Sequence, residues 1–471
     1  MDISPSASAP SPDKGPILMR LMLLTTALTS MSALMLNIVL PQISRELHLS
    51  LGQASWLSTS YTLIYALGTV AYGKLADRYR LKNLLTFGLV VFAAGSLIGL
   101  ASQSFWMTLL ARCLQSAGAS VVPATAMIVP VRYFAPERRG SALSMTSVGL
   151  AIGSALGPAV SALIVSFAHW RWLFLPPLLL LLLLPFYRRH LDLAPADRPG
   201  SFDWVGGGLL AASIALLLLG VTNRSATLAV CGLAALALFA LRVRRAREPF
   251  IRPALLRNPR YAAGLAVMFA LGGIGSSLYF VTPLLLGEVH RMSSASIGFA
   301  MVPAAAAAAI LGRFGGRLAD RKGNMCLFAA AACMLAACFL LLSTFAGAPQ
   351  AWIVVSLVLG NAGQSLIGIA MSNTISRTLA KDQVAIGMSL FSMTGFIAQG
   401  LLVGIYAIAI GGSAPVSWNP LNSIPGSYVY GNLYLLLALS MLAVLVVYAV
   451  TFGTPGRRSD APRSFGTTGR S

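Results

Sequence analysis

The chain has 471 residues, of which 57% are hydrophobic and only 10% charged, with a mean hydropathy of +0.77. A soluble domain carries about 25% charged residues, so the composition excludes one. The net charge of +21 falls in short clusters between apolar runs, where it orients spans and meets anionic lipid, rather than forming a nucleic-acid surface.

The apolar runs are about 20 residues long, the length of a bilayer-crossing helix. They lack the period-two alternation of a membrane barrel, so an all-α membrane bundle is expected. Residues 1–16 are expected to form a disordered Ser/Pro-rich tail. No cleavable signal peptide is evident, because the first run is long enough to remain as a span. Six spans follow at 17–40, 54–72, 83–101, 106–131, 141–167 and 172–187, making a first half over 17–187. A loop and an inserted pair of spans, 204–222 and 226–241, occupy 188–260. Six more spans at 261–286, 296–312, 324–346, 351–375, 385–410 and 430–452 make a second half over 261–452. Residues 453–471 are a polar tail.

With the N-terminus cytoplasmic, the cytoplasmic segments hold 29 of the 34 Lys and Arg residues. Arg45, Arg171, Arg224 and Arg291 fall outside, and Arg112 lies within a span. That bias satisfies the positive-inside rule. It places both termini in the cytoplasm of a multi-pass protein of the cytoplasmic membrane.

One charged stretch is repeated. Gly73-Lys74-Leu75-Ala76-Asp77-Arg78 recurs as Gly316-Arg317-Leu318-Ala319-Asp320-Arg321, 243 positions later. Each copy lies between two spans, the second and third or the tenth and eleventh. Repeats at equivalent places are the mark of a transporter with two related halves. Eight spans separate the copies where a plain pair of six-helix halves gives six, hence the inserted pair.

Two spans carry specific chemistry, and several others carry polar residues. Arg112 is the one basic residue placed in mid-membrane, and an intramembrane charge reads as functional by default. Its alternative reading is a structural arginine bonded to backbone carbonyls. Gln115 follows three residues on, on the same helix face. Gly149, Gly153 and Gly157, followed by Pro158, put small residues on one face and a bend beside them, as a hinge between halves requires. Asn37, Tyr61, Gln115, Asn361, Gln364, Asn373 and Gln399 are the polar residues available to a central cavity. All five cysteines lie within apolar runs and read as small buried residues. Trp170, Arg171 and Trp172 read as an interfacial belt. No cofactor, metal or nucleic acid is expected, and there is no phosphate-binding loop for an ATP-driven pump or enzyme.

Three of these stretches, with the first-span Leu36-Asn37 to Pro41 and the span-7 Phe202-Asp203-Trp204-Val205-Gly206, carry a resemblance. The chain resembles the major facilitator superfamily, in its 14-helix drug:proton antiporter branch, and there the Gram-positive-type tetracycline efflux pumps. The stretches concerned are Gly73 to Lys82, Arg112 to Gly118 and Gly149 to Pro158. Arg80, Ser116 and Ser161-Ala162 depart from the family's usual glycines. The resemblance implies two six-helix halves plus two helices and secondary export of small amphipathic compounds, driven by protons. It implies a gating latch at Gly73, Asp77, Arg78, Gly316, Asp320 and Arg321. It also implies proton coupling through Arg112 and an antiporter hinge at Gly149, Gly153, Gly157 and Pro158. Membrane lipid, protons and a small-molecule substrate are the expected partners of a monomer.

One departure matters. The tetracycline branch has acids in helices 1, 5 and 13, and the matching positions here are Ala33 (or Ser32), Ser154 and Gln399. A cationic metal–tetracycline substrate is therefore disfavoured, since Arg112 would face it without compensating negative charge, and a neutral or anionic amphipathic compound fits better. If the pump is proton-coupled, Asp203, Asp77 or the substrate must carry the proton, although Asp203 could equally cap the seventh span. An exporter or exchanger of an endogenous anionic metabolite or siderophore is the alternative reading.

Overall fold

The computed structural model describes residues 14–76, 79–134, 139–191, 203–222, 225–246, 249–251, 253–379, 383–412, 416–422 and 424–453. The first half contains α1 (Lys14–Ile38), the short α2 (Leu40–Glu46), α3 (Leu51–Leu75), α4 (Leu81–Leu100), α5 (Phe105–Ala119), α6 (Val121–Tyr133), α7 (Arg139–Phe167) and α8 (Leu180–His190). The inserted pair is α9 (Trp204–Thr222) and α10 (Ala226–Arg245). A short α11 (Pro253–Leu256) leads to α12 (Pro259–Glu288), α13 (Ser294–Phe345), α14 (Gln350–Ser376), α15 (Val384–Ile410) and α16 (Tyr428–Phe452).

Helical structure occupies all fourteen expected places. Among the described residues, twelve stretches are long and apolar enough to cross a membrane, which is compatible with fourteen spans. The other two are α3, rich in Ser, Thr and Tyr, and α9, whose apolar stretch Trp204–Gly220 is short.

Three local features differ from the sequence reading. The fourth span is broken at Ser120 into α5 and α6. The sixth starts as two 3-10 turns, Trp170–Phe174 and Pro176–Leu179, because adjacent prolines cannot donate to a regular helix. The tenth and eleventh spans form one element, α13, reversed at Gly323 with φ 82° and ψ 157°. That left-handed backbone is open to glycine at no steric cost. The second charged repeat is thus the helical end of the first arm of α13 rather than a separate loop.

The two halves meet along α3 with α15 and along α7 with α13, while α1 touches α12. The inserted pair packs on itself: Gly220 lies against Ala229 and Gly232 against Leu217. Its α9 also rests on both α3 and α15, so it covers one seam between the halves.

Two ends of the bundle are distinguishable. The basic face carries the start of α1, Lys74, Lys82 and Arg242. The opposite face carries α2 and the start of α16. On the opposite face the halves are pinned together. Arg45 donates from Nη2 to the Gly287 carbonyl at 3.0 Å. Gly298 of α13 sits against the Pro158 carbonyl and Ala162 of α7. One turn deeper, Thr59 of α3 donates to the Gly400 carbonyl of α15 at 3.0 Å. The same face of α7 changes character toward the basic end, where Leu150 is 52% exposed.

Candidate functional site: a central cavity between the halves

A cavity of about 210 Å³ lies between the halves. Helices α1, α3, α5 and α7 of the first half and α12 and α15 of the second form its wall. Of the polar and tyrosine side chains of α3, Ser58, Tyr61, Thr62 and Tyr65 face it. Tyr65 meets Phe396 of α15 edge-on, with ring centroids 5.0 Å apart. The cavity is closed toward the opposite face by the contacts above. Its exposed lining residue Leu150 leads toward the basic face.

Arg112 is on this wall yet only 1% exposed. Its guanidinium donates to the carbonyls of Leu57, Ser32 and Ala33 and to Gln115 Oε1, each at 3.3 Å. It also stacks on the Tyr61 ring, 4.1 Å from the centroid. These partners are neutral. They satisfy donors and leave the charge uncompensated. Arg112 therefore ties α1, α3 and α5 together, as the structural reading of this residue requires, and at the same time sets the sign of the cavity's field.

The structure sorts the polar candidates. Asn37, Tyr61 and Gln399 line the cavity. Asn37 Oδ1 accepts from Ser58 Oγ at 2.5 Å. Gln115 lies behind the wall, donating to Ser96 Oγ at 2.9 Å and holding Arg112. Asn361 is also set back, with its Oδ1 accepting from Tyr279 Oη at 2.7 Å. Gln364 packs against Gly275, and its Oε1 is buried without a partner. Asn373, near the basic end of α14, is not among the lining residues. The sequence reading missed Tyr65, Tyr279 and Phe396. Tyr65 had a signal, since it stands four residues after Tyr61 on one helix face; Tyr279 and Phe396 had none.

Ala33, Ser154 and Gln399, the three positions where the resemblance puts acids, all fall on this one wall. Among the described residues, no Asp or Glu lines it.

Asp203 is elsewhere. It precedes α9 and accepts from the Gly206 N–H at 2.9 Å, the Phe250 N–H at 3.3 Å and Arg242 Nε at 3.2 Å. Burial pushes its carboxyl up, but the Gly206 N–H, Arg242 and the Phe250 N–H outweigh this and hold it below the usual range. A carboxylate so held caps α9 and binds the inserted pair to the 249–251 segment.

The latch is only partly visible. Asp77 and Arg78 lie outside the described residues. Gly316 and Asp320 are on α13, and Arg321 there is exposed. Gly73 has open space around its Cα. Beside it, Lys74 donates to the Pro249 carbonyl at 2.7 Å and lies over the Phe250 ring. The first repeat is thereby joined to the inserted pair through the segment that Asp203 holds.

The glycine stripe needs a correction. Gly149 and Gly153 abut the Leu23 and Ala27 carbonyls of α1, and Gly157 sits over Met31 and Leu34. These three seat α1 against α7 within one half. On α7 the contact with the other half runs through the Pro158 carbonyl and Ala162 against Gly298, so Pro158, of the expected hinge residues, reaches that contact. Two further expectations change. Trp170 is 0% exposed and donates from Nε1 to Glu46 at 2.7 Å, so it is no part of an interfacial belt; Trp172 is exposed. Cys338 is buried, but Cys231, Cys326 and Cys333 are exposed on helix surfaces.

Glu46 gathers several partners on the opposite face. Its carboxylate meets His169 Nε2 at 2.9 Å and Arg171 Nη1 at 3.1 Å besides Trp170. Burial raises its pKa, yet the Trp170 bond and the nearby His169 and Arg171 bring it below the ordinary value. The cluster fixes α2, the element that carries Arg45.

Comparison with known proteins agrees with this geometry. The chain is 28% identical over 404 residues to the putative multidrug resistance protein MdtD of Klebsiella pneumoniae (strain 342), covering 80% of this chain and 84% of that one. It is 25% identical over 301 residues to the riboflavin transporter RibZ of Clostridioides difficile (strain 630), covering 63% of this chain and 66% of that one. In structure it is similar to a POT family transporter in complex with a thioalcohol-conjugated peptide. The TM-score is 0.68 at 14% identity, over 92% of this chain and 95% of that one. The Major Facilitator Superfamily model matches residues 22–403. With its two helical halves around a central cavity, the chain belongs to the major facilitator superfamily of membrane transporters.

Proposed function

We propose that this transporter exports small amphipathic compounds across the cytoplasmic membrane by alternating access, driven by the proton gradient. The observation that carries the reading is the cavity between the halves, apolar and aromatic with few polar groups, the form of a small-molecule site. The basic face is the cytoplasmic one by the positive-inside rule. The cavity, closed on the opposite face, is then loaded from the cytoplasm. The multidrug name of MdtD supports efflux.

Proton coupling has no acid on the cavity wall to rest on. Asp203 is engaged as a cap and in an ion pair, which favours its ionised form. The proton is then carried by Asp77 or by the substrate. Everted vesicles test this. Substrate-dependent proton movement should persist in Asp203→Asn, and its loss there would return that residue to the carrier role. Absence of uptake for every member of a diverse panel, with and without a proton gradient, would sink the efflux reading.

The second reading is an exporter or exchanger of an endogenous anionic metabolite. The uncompensated Arg112 charge favours it, and RibZ, by its name, carries a metabolite. An unchanged drug-susceptibility profile on expression in a pump-deficient host, together with counterflow of organic acids, would select it.

A further inference from the structure

The cavity wall offers hydrogen-bond donors that nothing in the protein uses. Tyr61 is 4% exposed, and its hydroxyl is buried without a hydrogen-bond partner among the described residues. Buried hydroxyls are nearly always bonded, and one left unpaired carries a penalty that a ligand removes. Arg112 stacks on the same ring. Its carbonyl and amide partners take four of the five guanidinium N–H groups, leaving one on Nη2. A guanidinium stacked on a phenol offers two donors of different elements to one acid group. One turn along α3, Tyr65 lies parallel to Tyr61 with ring centroids 6.1 Å apart, and with Phe396 it supplies aromatic surface from the two halves.

We infer that the cavity selects aromatic anions. This deepens the proposed function and rests on its reading of the cavity as the substrate site. The acid group accepts hydrogen bonds from Tyr61 Oη and Arg112 Nη2. The ring lies against Tyr65 and Phe396. Such a ligand touches both halves at once, as a substrate that commits the halves to move must. An organic cation of the same shape meets the Arg112 charge with no carboxylate on the wall to offset it, and is rejected.

Three probes with one ring system separate the possibilities: naphthoate, naphthamide and naphthylmethylammonium. Binding is measured by titration calorimetry to the full-length protein in lipid nanodiscs at neutral pH, with empty nanodiscs subtracted. Naphthoate should bind at least about tenfold tighter than the ammonium compound, the ratio that one hydrogen bond to a charged group supplies. The amide should fall between them. Tyr61→Phe keeps the ring under Arg112 and removes one donor. It should weaken naphthoate by about three- to tenfold and leave the ammonium compound unmoved. Equal or tighter ammonium binding overturns the inference, as does binding by none of the three. If Tyr61→Phe fails to fold, the ratio in the unaltered protein still decides. Naphthoate preference with no vesicle export would sink the proposed transport and leave this site standing. Export of cations with no such preference would do the reverse.

Discussion

Arg112 and Tyr61 show how one side chain can serve packing and selectivity together. The guanidinium bonds carbonyls on α1 and α3, which a lysine ammonium cannot span in the same fork geometry. Arg112→Lys should therefore lower vesicle transport more than tenfold while the charge remains, and Arg112→Ala should also reduce the yield of folded protein. Asp203 makes a separate prediction, through pH. Its folded pKa is depressed, so its contribution is fully present above the ordinary carboxylate value of about 3.9 and is lost as pH falls through the lower folded value. Thermal unfolding in detergent should show Asp203→Asn less stable than the parent near neutrality, by about 1 kcal/mol from loss of the Arg242 ion pair, since an asparagine still caps the helix. The gap should close in strong acid.

Among helices, the pair α1 and α7 turns on small residues. A Cβ at Gly153 would run into the Ala27 carbonyl and Ser30, whereas one at Gly157 meets its nearest atoms at 3.4 Å. Backbone cannot yield as a flexible side chain does. Gly153→Ala should cost about 1–3 kcal/mol and depress transport. Gly157→Ala should stay within about 0.5 kcal/mol, and thermal unfolding of the two variants side by side checks this. In α13, Gly323 has nothing around it, so only its positive φ matters. Gly323→Ala should cost about 1–2 kcal/mol by the left-handed penalty alone.

Between the halves, the closure on the opposite face depends on few bonds. Arg45 to the Gly287 carbonyl is the clearest, and the Glu46 cluster holds the helix that presents it. Two conformations a few kcal/mol apart respond to the loss of one such bond. A charged donor on a carbonyl contributes about 1.5–3 kcal/mol. Arg45→Ala should therefore shift the population toward a state open on that face by about tenfold or more. Distances between spin labels on α2 and on the outer end of α12 would record it as a longer component. An unchanged distribution would show that the α7 to α13 junction alone holds the closure. The inserted pair also bridges the halves, since α9 rests on α3 and α15 and the segment at its start is tied to Lys74 through Pro249 and Phe250.

Apolar length, charge placement and one repeated stretch were enough to place fourteen helices, because the bilayer imposes a length and lipid admits few polar residues. They were also enough to single out Arg112, since an intramembrane charge is conspicuous in any such chain. Which polar residues share a cavity was not legible. Asn37, Tyr61 and Gln399 come from three helices, and Gln115 and Asn361 differ from them only in facing a neighbour. Helix rotation is set by packing against partners, and in lipid both faces of a span are apolar, so no periodicity reports it. The same reason hid that the glycine stripe of α7 seats α1. It also hid that the three neutral positions Ala33, Ser154 and Gln399 converge on one wall. Sequence decided where the helices fall along the chain and which polar groups they lack. Tertiary structure decided where that lack is felt: in a cavity whose one charge is a buried arginine.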